Sequence, residues 1–418
     1  MYSSFSWTWT SLVFVLLSYV FYALTKKRNN KYSESLPPGP KGIPILGNLL
    51  MLGELPHRDL HHLSKQYGSI MYLRLGFIPT IVVSSPQAAE LFLKTYDLNF
   101  ASRPFNEAAK YISYERKGLS FAEYGSYWRN VRKLCTLELL SNLKIESFKT
   151  MRREELGLFI ESLKEASRDH VEVDLSAKVL TLSTDMSCLM VFGKKRIHNE
   201  HEQKSFHAVV QEGLQLAALF NIADYIPYVG ALDLQGLAKR MKVVSKVFDD
   251  MFEQIIDEHV DAGDKGQHRD FVDVMLSFME SKDNEFQIER SNIKAIILDM
   301  LVGSMDTSST AIEWVFSELL KHPNVMKKVQ QEIERVVGQD RLGRDFQFLP
   351  FGQGRRGCPG MQLGLTVVRL VVAQLVHCFD WELPNGMPCT ELNMDEEFGL
   401  TMPRAKHLSV IPTFRLRI

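Results

Sequence analysis

The stretch Phe351-Gly352-Gln353-Gly354-Arg355-Arg356-Gly357-Cys358-Pro359-Gly360 carries more constraints than any other part of the chain. Glycines at 352, 354 and 357 crowd into six residues, so the backbone must turn sharply or come close to another group. Two arginines beside a cysteine favour the thiolate. Pro359 suits the first position of a helix, and a run with a 3.6-residue apolar period follows from Met361. Cys358 is then expected at a helix N-terminus, where the dipole and free N–H groups favour the thiolate further, and a thiolate made this way suits metal ligation. A competing pattern overlaps it. Gly352-x-Gly354-x-x-Gly357 matches a dinucleotide-binding fingerprint, with Asp380 following at 380 − 357 = 23 residues. Pro350 interrupts the strand that should lead in, no run of βαβ units surrounds the pattern, and it leaves Cys358 and both arginines unexplained.

The rest of the chain reads as mainly α with a small β-sheet. Apolar periodicity predicts helices over Pro56–Tyr67, Pro86–Thr95, Ser126–Leu139, Ile145–Ala166, Ala177–Val191, His201–Leu219, Gly236–Ala262 and Phe271–Met279. Further helices are expected over Ile293–Leu320, Asn324–Val337 and Met361–Cys378. Alternating runs at Ile70–Leu75 and Pro79–Ser84, joined through Gly76, read as a strand pair. Composition agrees with a globular protein: 418 residues, 45% hydrophobic, 24% charged, net charge −1. That excludes a disordered or collagenous chain and argues against a nucleic-acid partner. The five cysteines are widely and irregularly spaced with no C-x-x-C pair, which fits a reducing compartment rather than a disulfide framework or zinc site.

Phe5 to Leu24 is twenty residues without a charge, long enough to span a bilayer core of about 30 Å. Aromatic residues sit towards both ends, and Lys26, Lys27 and Arg28 follow at once, which predicts a single transmembrane anchor with the C-terminal side in the cytosol. The expected division is an anchor over 1–25, a basic and Pro-rich linker over 26–48 containing Pro37-Pro38-Gly39-Pro40, and a catalytic body over 49–418.

Phe351-x-x-Gly354-x-Arg356-x-Cys358-x-Gly360 resembles the haem-binding signature of the cytochrome P450 family at every position, and the chain looks like a plant microsomal member. The resemblance implies that Cys358 is the axial thiolate on the iron of haem b, that Arg356 pairs with a haem propionate, that Phe351 shields the sulfur and that Gly354 and Gly360 let the loop approach the porphyrin. Trp128-x-x-x-Arg132 places an indole and a guanidinium on one helix face and resembles the pair that binds the other propionate. The anchor, the proline hinge and the stretches 100–104 and 398–404 also match the microsomal pattern. The family implies a haem-thiolate monooxygenase of the endoplasmic reticulum membrane, supplied with electrons from NADPH by NADPH-cytochrome P450 reductase and acting on an apolar small molecule.

Inside the apolar run 293–320 stands Gly303-Ser304-Met305-Asp306-Thr307-Ser308. Buried polar groups there need partners, and back-bonding to the preceding turn is one reading. The family reading makes Asp306 and Thr307 the acid–alcohol pair that delivers protons for oxygen activation, with Ser304 where the family usually has glycine. Three patterns read as ordinary surface: His57-x-x-x-His61, the charge run Lys194-Lys195-Arg196, and a bare E-x-x-R at Glu332 and Arg335.

A P450 carries an E-x-x-R helix, several strands and a further arginine segment between the oxygen-activation helix and the cysteine loop. Here only 358 − 307 = 51 positions separate Thr307 from Cys358. Two helices, several strands and their connections amount to on the order of 80 residues. The chain therefore reads as a P450 with an internal deletion near Arg341–Leu342. Two rivals stand beside the monooxygenase: a non-enzymatic remnant without functional haem, and a dinucleotide-binding oxidoreductase on the glycine pattern.

Overall fold

The computed structural model describes residues 36–195, 200–263, 269–281, 286–335 and 350–416, the side chains of 200–207 and 334–335 excepted. The expected anchor over Phe5–Leu24 and the expected break at Arg341–Leu342 lie outside the described residues. The chain forms two units, the first containing 36–96 and Tyr225–Ala231, the second starting at Asp97.

In the first unit, helix α1 (Pro56–Tyr67) has the bounds its periodicity predicts, with proline at its start where a missing N–H costs nothing. Strands β1 (Ile70–Leu75) and β2 (Ile78–Val83) pair antiparallel from Ile70 opposite Val83 to Leu75 opposite Ile78. The proline stretch is bound to this hairpin. The Tyr72 N–H donates to Pro38 O at 2.9 Å. Asn48 accepts from the Arg74 N–H at 2.8 Å and donates to Pro40 O at 3.2 Å. From Pro38 onward the expected linker thus belongs to the folded unit.

The second unit is a helical body. Its helices are α2 (Glu107–Ile112), α3 (Ser126–Leu134), α4 (Lys149–Arg168), α5 (Leu175–Phe192), α6 (Glu200–Ala218), α7 (Leu237–Ala262), α8 (Phe271–Glu280), α9 (Arg290–Lys321), α10 (Pro323–Arg335) and α11 (Met361–Cys378). A three-stranded sheet, in the order β3 (Val173–Asp174), β5 (Ser409–Phe414), β4 (Phe379–Glu382), closes it. The long helix expected over Ile145–Ala166 is two helices, Asn142–Ser147 and α4, because Phe148 leaves helical geometry (φ −91°, ψ 10°). The helix expected over Ser126–Leu139 is α3 continued by a π-helical turn, Cys135–Leu139.

Helix α9 is the axis of the body. It is apolar around most of its circumference, as a central helix must be, with Ile293, Ile296, Ile297, Leu301, Ile312 and Phe316 fully buried. A capping box starts it: the Asn292 side chain accepts from the Glu289 N–H at 2.7 Å. Its broadest helix contact is with α5, and α10 and α11 also pack on it. Lys294 is buried on α9, and the carboxylates of Asp249, at 2.5 Å, and Glu253 on α7 compensate its charge. His259 on α7 reaches Ile255 O with Nδ1 at 2.7 Å and Asp270 with Nε2 at 2.9 Å, which ties α7 to the capping box that opens α8. Lys194 and Lys195, expected as a solvated charge run, are paired: Lys194 with Glu258, and Lys195 with Glu155 at 2.5 Å and Asp185 at 3.4 Å.

Two described helices, α5 and α11, are long and apolar enough to cross a membrane by length and composition alone. Phe316 lies at the centre of the body, fully buried, its ring 5.0 Å edge-to-face from Trp381. Phe316→Ala should cost about 3–5 kcal/mol of stability, from lost burial plus the cavity left behind. Urea unfolding of the two proteins side by side gives the number, and a cost under about 1 kcal/mol would show that the site collapses freely.

Candidate active site

The loop before α11 is wound tightly enough to present its cysteine outward. The Cys358 N–H donates to Phe351 O at 2.8 Å, and the Gly357 N–H to Gly354 O at 3.0 Å across the 3-10 turn Gly354–Arg356. Gly354 sits at φ 72°, a left-handed conformation that L side chains disfavour. The Phe351 ring lies along α11, where a Cβ on Gly364 would stand 3.4 Å from it. Cys358 is exposed. Helix α11 starts at Met361 with Gly360 as its N-cap, so Pro359 precedes the helix instead of opening it.

Arg356 is the hub of this loop. Its Nε donates to Ala101 O at 2.7 Å, Nη1 to Leu119 O at 3.2 Å and Nη2 to Ala122 O at 2.6 Å. Its guanidinium lies 4.4 Å from the centre of the Trp128 ring on α3, and Arg132, one turn along, lies 5.8 Å from the same ring. The Trp128 N–H is already taken by Leu119 O at 3.1 Å. Arg355 points elsewhere, to Asp97 at 2.9 Å and the Tyr124 hydroxyl at 3.2 Å. Charge accumulates around Arg356: burial, then the fields of Arg103, Arg132 and Arg116, lower its pKa to about 10. Among the described residues one carboxylate pairs with these four arginines, Glu123 with Arg116 at 2.7 Å.

The thiol differs from its sequence expectation. Enclosure by surrounding atoms pushes Cys358 above its ordinary value, and the Gly360 N–H and the Arg132 charge recover only part of this. Of the two neighbouring arginines, one faces Asp97 and the other faces three carbonyls, so neither stabilises the sulfur directly.

Midway along α9, exposure interrupts the buried surface at Gly303 and Thr307, one turn apart on one face, and beyond the helix's own adjoining turns no atom lies within 4 Å of where a Cβ on Gly303 would be. The Thr307 hydroxyl donates to Gly303 O, the back-bonded arrangement. Ser304 points sideways, its hydroxyl 2.6 Å from Met300 O and 2.7 Å from Ser187 Oγ on α5, so it takes no space from the open face. Asp306 and Thr307 diverge. Asp306 is bonded to the Thr401 hydroxyl and lines a cavity of about 910 Å³ with Thr310, Glu313, Thr181 and Arg404. Burial raises the Glu313 pKa, and the Ser176 hydroxyl and Arg404 draw it back.

The family model for Cytochrome P450 matches residues 37–344 and 339–409. The chain belongs to the cytochrome P450 family. It is 44% identical to Cytochrome P450 CYP736A12 of Panax ginseng over 93% of this chain and 95% of that protein. It is similar to Cytochrome P450 84A1 of Arabidopsis thaliana, at 34% identity over 97% and 96% of the two chains. It is also similar to Flavonoid 3'-monooxygenase CYP75B137 of Crocosmia x crocosmiiflora, at 31% over 99% of each. P450s are haem-thiolate monooxygenases whose haem iron takes a cysteine thiolate and whose electrons derive from NADPH.

The dinucleotide reading finds no support in the local structure of this P450. The glycine pattern runs through the 3-10 turn Gly354–Arg356 with Gly354 in a left-handed conformation, and the following helix starts only at Met361, after Pro359 and Gly360. Glu332 is exposed on α10, as expected of a coincidental E-x-x-R. His57 and His61 are both exposed on α1. Sequence reasoning missed Arg103 and Arg116, whose fields reach Arg356. The arginine in Phe100-Ala101-Ser102-Arg103-Pro104 was the available signal, but its charge counts only once the fold gathers the other three. Arg356→Lys should lower stability by about 1–3 kcal/mol, since one ammonium cannot serve three carbonyls spread around a planar fork. Chemical denaturation in the absence of added haem measures it, and an unchanged midpoint would show that the three bonds contribute little.

Proposed function

We propose that this chain is a membrane-anchored haem-thiolate monooxygenase of plant specialised metabolism that inserts one atom of dioxygen into an apolar small molecule. One observation supports it most. An exposed thiol stands with a group of arginines that, among the described residues, pairs with a single carboxylate, and haem would bring an iron for the first and two propionates for the second. Bound haem would supply dioxygen binding and O–O cleavage, which a thiolate ligand favours. In this reading Cys358 is the ligand and gives up its proton as the metal binds. Arg356 and Arg132 face the propionates, with Trp128 holding its ring beneath both guanidinium groups. Phe351 covers one side of the loop, and Gly354 and Gly360 keep it close to the porphyrin. Gly303 leaves room on α9 for substrate and dioxygen. Thr307 Oγ1, turned from Gly303 O, would deliver a proton, and the Asp306 carboxyl group, turned from Thr401 and reprotonated from solvent, would pass a proton back to it through water. The relatives support the substrate class, one being named a flavonoid 3'-monooxygenase. The uncharged Phe5–Leu24 and the basic residues after it support an endoplasmic reticulum anchor with a cytosolic body and NADPH-cytochrome P450 reductase as partner.

A second reading, a remnant with little activity, is favoured by the way the family match divides. Its two parts meet at 339–344, and the alignment with the ginseng protein runs over 481 positions against 418 residues here. We read this as loss of a segment near Arg341–Leu342, on the order of 80 residues from the sizes of the elements concerned. Such a loss leaves apolar faces uncovered at about 1.5–3 kcal/mol for each large side chain, and a few of these rival a net stability of about 5–15 kcal/mol.

Three outcomes are expected. Cys358→Ala should abolish the red-shifted CO-bound spectrum of reduced haem, and a variant that keeps this spectrum would falsify the ligand assignment. In a length-restored version, Thr307→Ala should retain haem but divert electrons to hydrogen peroxide, read as peroxide formed per NADPH consumed; unchanged coupling counts against the proton role. The 418-residue chain should take up haem well below one equivalent in titration, and stoichiometric uptake with reductase-driven product would show the remnant reading to be wrong.

A further inference from the structure

Asp299 has no part in the acid–alcohol pair, yet its carboxyl is bound into the segment that carries the carbonyl acceptors of Arg356. Its Oδ2 accepts from the Leu119 N–H at 2.5 Å and from the Ser120 N–H at 3.4 Å, and the Ser120 hydroxyl bonds to it as well. Leu119 then turns its carbonyl the other way, to the Trp128 N–H and to Arg356. Ala122, three residues on, gives Arg356 a second carbonyl. The approach is close enough that a Cβ on residue 118 would lie 2.5 Å from Asp299 Oδ2 and 2.7 Å from Ser113 Oγ, so a larger residue there would push the carboxyl aside. The chain enters this loop through three successive left-handed residues, Tyr114, Glu115 and Arg116, at φ 49°, 55° and 67°. L-residues hold that conformation only when their surroundings impose it.

We propose that Asp299 is a positioning residue: by holding the amides of Leu119 and Ser120 it sets where the loop presents the Leu119 and Ala122 carbonyls, and so where Arg356 and the cysteine loop come to rest. Its consequence for haem retention rests on the function proposed above; its consequence for the two loops does not. Helix α9 and the cysteine loop are thereby joined through a strained segment that neither holds alone. Burial raises the Asp299 carboxyl to about 6, while its bonds to Ser120 and Leu119 hold it from rising further. The groups that face it are Tyr127 from α3 and Cys135 from the π turn, each pushed up first by burial and further by the Asp299 charge. Lys117, at the loop's start, is engaged by Ser291 at 2.7 Å and Glu289 at 3.3 Å. Because the closed loop raises this carboxyl, the closed state binds the proton more tightly than the open one. Acid therefore favours closure, and closure weakens as pH rises through about 6.

Hydrogen exchange on the full chain, with Asp299→Ala and Asp299→Asn beside the native protein, tests this. Asp299→Ala should raise exchange at least about tenfold in peptides covering both 113–122 and 351–358 at pH 7, whereas Asp299→Asn, which keeps a carbonyl oxygen for the amides, should stay close to the native protein. Corrected for the intrinsic pH dependence of exchange, opening of 113–122 in the native protein should rise up to about 100-fold from pH 4 to pH 7, the span between an ordinary and a raised carboxyl. Asp299→Asn should be flat. Unchanged exchange at 113–122 in Asp299→Ala, loosening there with none at 351–358, or a pH step that survives in Asp299→Asn each overturns the proposal. If Asp299→Ala does not fold, the pH comparison with Asp299→Asn still decides. If the native chain takes up no haem, the function above fails while the exchange results stand, and Cys358→Ala, which should lose the thiolate spectrum without loosening 113–122, separates the two.

Discussion

One guanidinium holds the candidate site together. Arg356 spends its planar fork on three carbonyls from two stretches of the 97–125 region, more than 230 positions away in the chain, and lays its face on the Trp128 ring. A fork with five donors in fixed directions can do this; a flexible ammonium cannot. The cysteine loop has few apolar side chains of its own with which to dock. Its placement relative to α3 therefore depends on this cation, and the carbonyls it uses are in turn placed by α9 through Asp299.

The same arrangement sets the electrostatics. Among the described residues four arginines gather with one paired carboxylate, and the atoms packed around the exposed Cys358 sulfur oppose its ionisation. Both features are unfavourable for a bare protein, and both are relieved by a ligand that carries a metal ion and two carboxylates. Metal binding then takes up the free energy of deprotonating the thiol, which makes affinity for the group dependent on pH.

Much of the fold was legible because helices in a large body need an apolar stripe. The bounds of α1 and α11 and the strand β1 follow from periodicity, and α9 was expected as a long apolar helix though three residues shorter at its start. The break at Phe148 was hidden because residues on both sides of it keep the same stripe. Strand β5 was hidden because Pro412 argues against a central strand. It is tolerated there because β3 pairs only with Ser409 and Val410, so at Pro412 the strand has a neighbour on one side alone.

The cysteine loop, its glycines and its arginines identify the family from the sequence alone, because close approach to a flat ligand and ligation of its metal restrict residue type at each position independently of the rest of the fold. The partners of those residues are another matter. That Trp128 gives its N–H to Leu119, that Ser304 turns to Ser187 and away from the open face, that Asp306 and Thr307 point apart, and that Asp299 binds the loop beneath Arg356 were decided only by tertiary packing. A side chain's type and spacing state what it can bond to; which of several partners it meets depends on the rotation and crossing of helices whose contacts lie a hundred or more residues apart.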